Sequence, residues 1–193
     1  IELFDAYPEH HNAIKAYHLE HGGISRFVKF KWIHSELLND PISESEAVKL
    51  GDKFSQLVFN KILSAPFVPG AREFLSHCHD HYYCFIASGT PQDELREIVV
   101  QRGLSNFFKE VKGTPASKEE IVAELLHAYS LYPTDCLFIG DAMTDYQAAT
   151  NTGTHFIART NDEMVAHWQS LQVTAVENLM EIIPLIDGQY KKV

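Results

Sequence analysis

From Pro66 onward the chain alternates short apolar runs with helical stretches, and that alternation fixes the fold class. The runs are Tyr82–Ala87, Phe107–Lys112, Cys136–Ile139 and His155–Ala158, with a shorter one at Thr174–Val176. Between them the spacing predicts helices over 91–102, 117–130, 143–152 and 161–170. Pro69-Gly70 is a turn that opens a helix through about Cys78, and a last helix is expected over 178–187. Strands separated by helices imply a parallel sheet with right-handed crossovers.

Residues 1–66 follow a different rule. Apolar positions recur at helical spacing, as in Leu57, Val58, Lys61 and Ile62, with breaks at Gly22-Gly23 and Asn39-Asp40-Pro41. Ser43 followed by Glu46 reads as a capping box that opens the third helix. The expected organisation is an α-helical domain over 1–66 and an α/β domain over 67–193. The aromatic set Phe27, Phe30, Trp32, Phe54 and Phe59 is expected to form the helical domain's own core.

Composition narrows the function classes. With 193 residues, 45% hydrophobic and 22% charged, the chain is globular and long enough for a sizeable core. A formal net charge of -10 argues against nucleic acid and anionic membrane as partners. Three cysteines, an odd count lying largely in apolar runs, read as reduced thiols. No apolar stretch is long enough to span a bilayer, and no secretion signal is evident, so a cytoplasmic protein, monomeric or homodimeric, is expected.

Three strand ends carry polar chemistry, and parallel strands end on one side of a sheet, where ligands bind. Phe85-Ile86-Ala87 runs into Ser88-Gly89-Thr90. Phe107–Lys112 runs into Gly113-Thr114-Pro115, with Lys118 just beyond. Cys136–Ile139 runs into Gly140-Asp141, and Asp145 follows one helical turn later. Two neighbouring carboxylates repel each other unless a cation lies between them, and a hard dication such as Mg²⁺ suits them. A hydroxyl, an ammonium and a cation seat facing one crevice suit a phosphoryl group.

The ordered set Ser88, Lys118, Gly140-Asp141-Ala142-Met143-Thr144-Asp145 resembles the haloacid dehalogenase (HAD)-like hydrolase superfamily. Within it, the chain is similar to the capped small-molecule phosphatases and phosphomutases, the branch of phosphoglycolate phosphatase and beta-phosphoglucomutase. The resemblance implies a Rossmann-like parallel sheet core with an α-helical cap. It implies that Ser88, Lys118, Asp141 and Asp145 are catalytic, that Asp141 and Asp145 hold Mg²⁺, and that Ser88, Gly89, Thr90 and Lys118 bind substrate. The stretch Gly23-Ile24-Ser25-Arg26 looks like the cap's substrate-facing loop, with Arg26 clamping an anionic group. The implied activity is Mg²⁺-dependent hydrolysis of a small phosphorylated metabolite through an aspartyl-phosphate. A sugar phosphomutase, or a domain that binds a ligand or partner without catalysis, is the alternative.

The family's first motif, Asp-x-Asp at the end of the central strand, has no counterpart before Asp141. Phe4-Asp5-Ala6-Tyr7 resembles the version found in true dehalogenases, but Glu2 would then lie in a strand buried on both faces, and Pro8 follows. The spacing of Leu3, Tyr7, His11 and Ile14 fits a cap helix better. The central strand and its nucleophile are therefore expected to lie upstream of this chain, and residues 1–193 alone are expected to be inactive. His77-Cys78-His79-Asp80-His81 is read as a helix C-terminus, where histidines favour the dipole, rather than as a zinc site.

Overall fold

The computed structural model describes residues 1–161 and 164–187. The chain divides into two compact units, Ile1–Ala65 and Pro66–Val193.

The first unit is helical. Short 3₁₀ turns at Glu2–Phe4 and Pro8–His10 lead into α1 (His11–Glu20), α2 (Arg26–Trp32) and α3 (Glu44–Ser64). A π turn, Ile33–Leu37, continues α2. The α3 start is capped as its sequence predicts: the Ser43 amide donates to Glu46 Oε2 at 2.8 Å, and the Glu46 amide donates to Ser43 Oγ at 3.3 Å. Phe4, Ile14, Tyr17, Phe30 and Ile33 form the core, with Leu3, Tyr7 and Phe54 packed against it. Trp32 lies at the margin of this core, stacked on Tyr17 with ring centroids 3.7 Å apart. Phe4 is buried while Asp5 is exposed on a turn, so Asp5 does not end a buried strand.

The second unit alternates α4 (Ala71–Cys78), β1 (Phe85–Pro91), α5 (Gln92–Gln101), β2 (Glu110–Thr114), α6 (Lys118–Ala128), β3 (Leu137–Gly140) and α7 (Met143–Thr152). It continues with β4 (His155–Arg159), α8 (Val165–Ser170), β5 (Ala175–Val176) and α9 (Ile183–Ile186). Every strand pair is parallel, in two ladders, β1-β2 and β3-β4-β5. This is the parallel α/β architecture that the strand–helix alternation implies.

Among the described residues no ladder joins β1 to β3. Burial follows that gap. All of β1 and β3 is half-buried, whereas Ile157 and Ala158 in β4, paired on both sides, are buried. One face of the second ladder packs Ile157 and Val176 against Phe74, Cys78, Ile182 and Ile186. The other face carries Phe156 against Tyr146 and the fully buried Trp168.

Several element boundaries differ from the sequence expectation, and three of the differences have a local cause. The first strand begins at Phe85 rather than Tyr82, because the Tyr82 amide donates to Cys78 O at 2.8 Å and so closes the α4 end. The second begins at Glu110 because Ser105–Phe107 is a 3₁₀ turn. The helix expected over 178–187 splits into a 3₁₀ turn, Leu179–Ile182, and α9, where Pro184 supplies no amide to carry a continuous ladder. Of the helix expected over 161–170, Asp162 and Glu163 lie outside the described residues.

Gly70 opens α4 at φ 74°, and a Cβ there would come within 2.9 Å of the Met180 amide nitrogen and collide with Asn178. Gly70→Ala is expected to cost more than about 1 kcal/mol in denaturant unfolding, through backbone strain and this clash together.

Candidate active site

The carboxyl ends of β1, β2 and β3 hold the polar residues, and each is placed by a local device. In β1 the device is a bulge. Four residue steps from Ala87 to Pro91 face only two from Lys112 to Thr114, so Ser88-Gly89-Thr90 swells out of the ladder. Within it Ser88 Oγ accepts the Thr90 amide and donates to Thr90 Oγ1, each at 3.2 Å. All three residues are half-buried.

Gln92 holds this bulge to β2. Its Nε2 donates to Val111 O at 2.8 Å, and its Oε1 accepts the Gly113 amide at 2.7 Å. A side-chain amide thus supplies the donor and acceptor that a strand would offer. Gly113 is required here because a Cβ would collide with the Thr90 carbonyl. Sequence reasoning missed Gln92. A glutamine one residue past a strand carries no signal of its own until the bulge is known.

Lys118 is the first residue of α6, fixed by the Ser117 cap: the Glu120 amide donates to Ser117 Oγ at 3.2 Å, and the Ser117 amide to Glu120 Oε2 at 2.7 Å. A cation at the positive end of a helix is placed against the dipole. Asp145 offsets this. Lys118 Nζ donates to Asp145 Oδ1 at 2.5 Å and to Thr144 Oγ1 at 3.4 Å. Both side chains are nearly buried, 13% and 6% exposed.

The second Asp145 oxygen is also committed. Oδ2 accepts the Ala142 amide at 3.1 Å and the Asp141 amide at 3.3 Å, which caps α7. Gly140 makes room for this, since a Cβ there would collide with the Asp145 side chain. Asp145 therefore holds the β3–α7 turn on one side and Lys118 on the other. Asp141 is different: it is exposed, and its carboxylate has no hydrogen bond or ion pair among the described residues.

The site thus joins Lys118, Asp145 and the Asp141 backbone directly, and joins the Ser88–Thr90 bulge to β2 through Gly113 and Gln92. Arg26 lies in the first unit. It opens a helix rather than lying in a loop, its Nη1 donates to Ser55 Oγ at 2.7 Å, and its guanidinium lies 4.8 Å from the Phe54 ring centroid. The thiols are poor nucleophiles: burial pushes Cys78 up to about 12 and Cys84 up to about 11. Among the described residues no three His, Cys, Asp or Glu side chains group as a ready metal cage.

The family of haloacid dehalogenase-like hydrolases matches residues 32–159, which runs from the last residue of α2 to the end of β4 and includes every site residue except Arg26. The chain belongs to that family. It is similar to a phosphoglycolate phosphatase from Vibrio vulnificus (strain CMCP6), 26% identical over 115 residues, covering 56% of this chain and 50% of the relative. The chain thus spans about half the length of that curated relative.

Solved structures share the fold. A haloacid dehalogenase-like family hydrolase from Streptococcus pneumoniae matches with TM-score 0.67 at 18% identity, over 84% of this chain and 77% of that one. A predicted phosphatase from Clostridium acetobutylicum matches with TM-score 0.69 at 17% identity, over 85% and 77%. The L-2-haloacid dehalogenase of Xanthobacter autotrophicus matches with TM-score 0.59 at 16% identity, over 95% and 89%.

Removing one member of the Lys118–Asp145 pair leaves the other charge buried. Lys118→Met is expected to destabilise the fold by about 3–5 kcal/mol in urea unfolding, with much of that recovered in Lys118→Met/Asp145→Asn, which removes the second charge and keeps an oxygen for the amides that open α7. A loss in the double variant equal to the sum of the two single-variant losses would show that the pair is not coupled.

Proposed function

We propose that the protein is a Mg²⁺-dependent phosphatase acting in the cytoplasm on a small phosphorylated metabolite. The observation that carries the reading is the buried Lys118–Asp145 pair, which fixes an ammonium at the carboxyl end of the sheet and holds the turn that carries Asp141. The family membership and the likeness to a phosphoglycolate phosphatase support it.

In this reading a nucleophilic aspartate attacks phosphorus in line, breaks the ester P–O bond so that the alcohol leaves with a proton, and forms an aspartyl-phosphate that water hydrolyses to free phosphate. The aspartate belongs to a strand outside residues 1–193 that seats between β1 and β3. The absence of a ladder between those strands, and their half-buried apolar residues, support such a seat. Ser88 and the amides of its bulge donate to the phosphoryl oxygens. Lys118, held by Asp145, balances the charge that develops on them.

Asp141 suits a hard dication: it offers a carboxylate oxygen that no protein group occupies, and Mg²⁺ commonly takes one or two carboxylates together with substrate oxygens and water. When bound, the ion shields the phosphate from the anionic nucleophile. Asp145, with both oxygens engaged, would support this seat by holding the turn that carries Asp141. The family membership supports reading the helical unit as a cap, with Arg26 as its candidate anion-binding side chain.

An assay with p-nitrophenyl phosphate tests the reading. The intact gene product is expected to release free phosphate with Mg²⁺, to lose activity on chelation, and to fall by about 10²–10³ in kcat in Lys118→Ala. Residues 1–193 alone are expected to stay at background. Turnover by that polypeptide would return Asp5 to consideration as nucleophile, and an inactive intact product would end the phosphatase reading.

A further inference from the structure

Arg159 closes β4, and nothing in the proposed chemistry uses it. The register pairs Ile139 with Ile157 and Gly140 with Ala158, so Arg159 stands beside Asp141, one step past the last pair. Side chains alternate along a strand. Leu137, Ile139 and Ile157 belong to the cluster around Phe74 and Val176, and Arg159, two residues beyond Ile157 in β4, lies on that same face of the strand.

The guanidinium is unusual in what it lacks. Arg159 Nε is buried and has no hydrogen-bond partner. Among the described residues no ion pair engages the side chain, although the chain has 26 acidic residues against 16 basic ones. Lys118, the other cation at this sheet edge, is committed to Asp145. A buried, unpaired polar atom costs free energy that a bound anion would recover. A guanidinium fork matches carboxylate and phosphate oxygens in two parallel hydrogen bonds.

We propose that Arg159 is a specificity-determining residue that binds a second anionic group, a carboxylate or a second phosphate, on a small phosphomonoester whose phosphoryl end lies at Lys118 and Asp141. Adjacent parallel strands are about 4.8 Å apart. That spacing suits two anionic groups joined by a short carbon chain. The proposal rests on the phosphatase reading and adds to it the charge of the leaving group.

Calorimetric titration of the intact gene product with Mg²⁺ tests it, using inorganic phosphate, glycerol 3-phosphate, 3-phosphoglycerate and propane-1,3-diol bisphosphate. One of the two doubly anionic esters is expected to bind at least about tenfold tighter than glycerol 3-phosphate, and which one tells carboxylate from phosphate. Arg159→Gln is expected to abolish that preference and leave the affinity for inorganic phosphate unchanged. Arg159→Lys, which keeps the charge but not the fork, is expected to retain part of the preference. It carries the test if the glutamine variant does not fold. A preference that survives undiminished in either variant, or that the unmodified protein lacks, overturns the proposal. If the unmodified protein binds none of the four, inorganic phosphate included, the phosphoryl site itself falls and the proposal falls with it.

Discussion

One buried ion pair organises the carboxyl edge of the sheet in this protein. Lys118 and Asp145 come from two different helices, each entered from a different strand, and they meet where little water screens them. Asp145 spends its second oxygen on the amides that open α7. A single carboxylate therefore fixes the orientation of a lysine, the start of a helix and the position of Asp141. Such a pair contributes little net stability, because desolvation offsets most of the attraction. Its placement at a sheet edge, with an ammonium set against the α6 dipole, makes better sense as preorganised charge than as a stabilising contact.

The same economy appears in β1 and β2. A ladder that ran straight would carry Ser88 alternately up or down with the pleat. The bulge lifts Ser88-Gly89-Thr90 out of that alternation, and Gln92 closes the space with a pseudo-strand contact to Val111 and Gly113. Two glycines permit close approaches at the strand ends, Gly113 against Thr90 and Gly140 against Asp145. Neither needs a positive φ. Both are needed because a methyl group has nowhere to go.

Much of this was legible in the sequence. Strand–helix alternation gives the parallel architecture because each segment must bury its apolar face on a neighbour. An apolar run into Gly140-Asp141 marks a strand end because folding alone has no use for an exposed acid there. What escaped the sequence was how polar groups divide their lone pairs. Asp141 and Asp145 look equivalent on a helical wheel, yet one is exposed and unengaged and the other is saturated by Lys118 and two amides. Strand starts were also misplaced. Tyr82 is apolar enough for a strand, but its amide is claimed by the end of α4, a choice that hydropathy does not record. The glycines before Arg26 suggest a loop, whereas Ser25 already turns the chain into α2.

The account stands or falls on whether the three strand ends serve one anion. The most direct measurement is a crystal structure of the intact gene product grown with Mg²⁺ and tungstate, a heavy phosphate mimic. The account predicts strong density for the anion within hydrogen-bond reach of both Ser88 Oγ and Lys118 Nζ, with Asp141 facing the cation beside it. Tungstate bound elsewhere, with Ser88 and Lys118 too far apart to touch one anion, would contradict it.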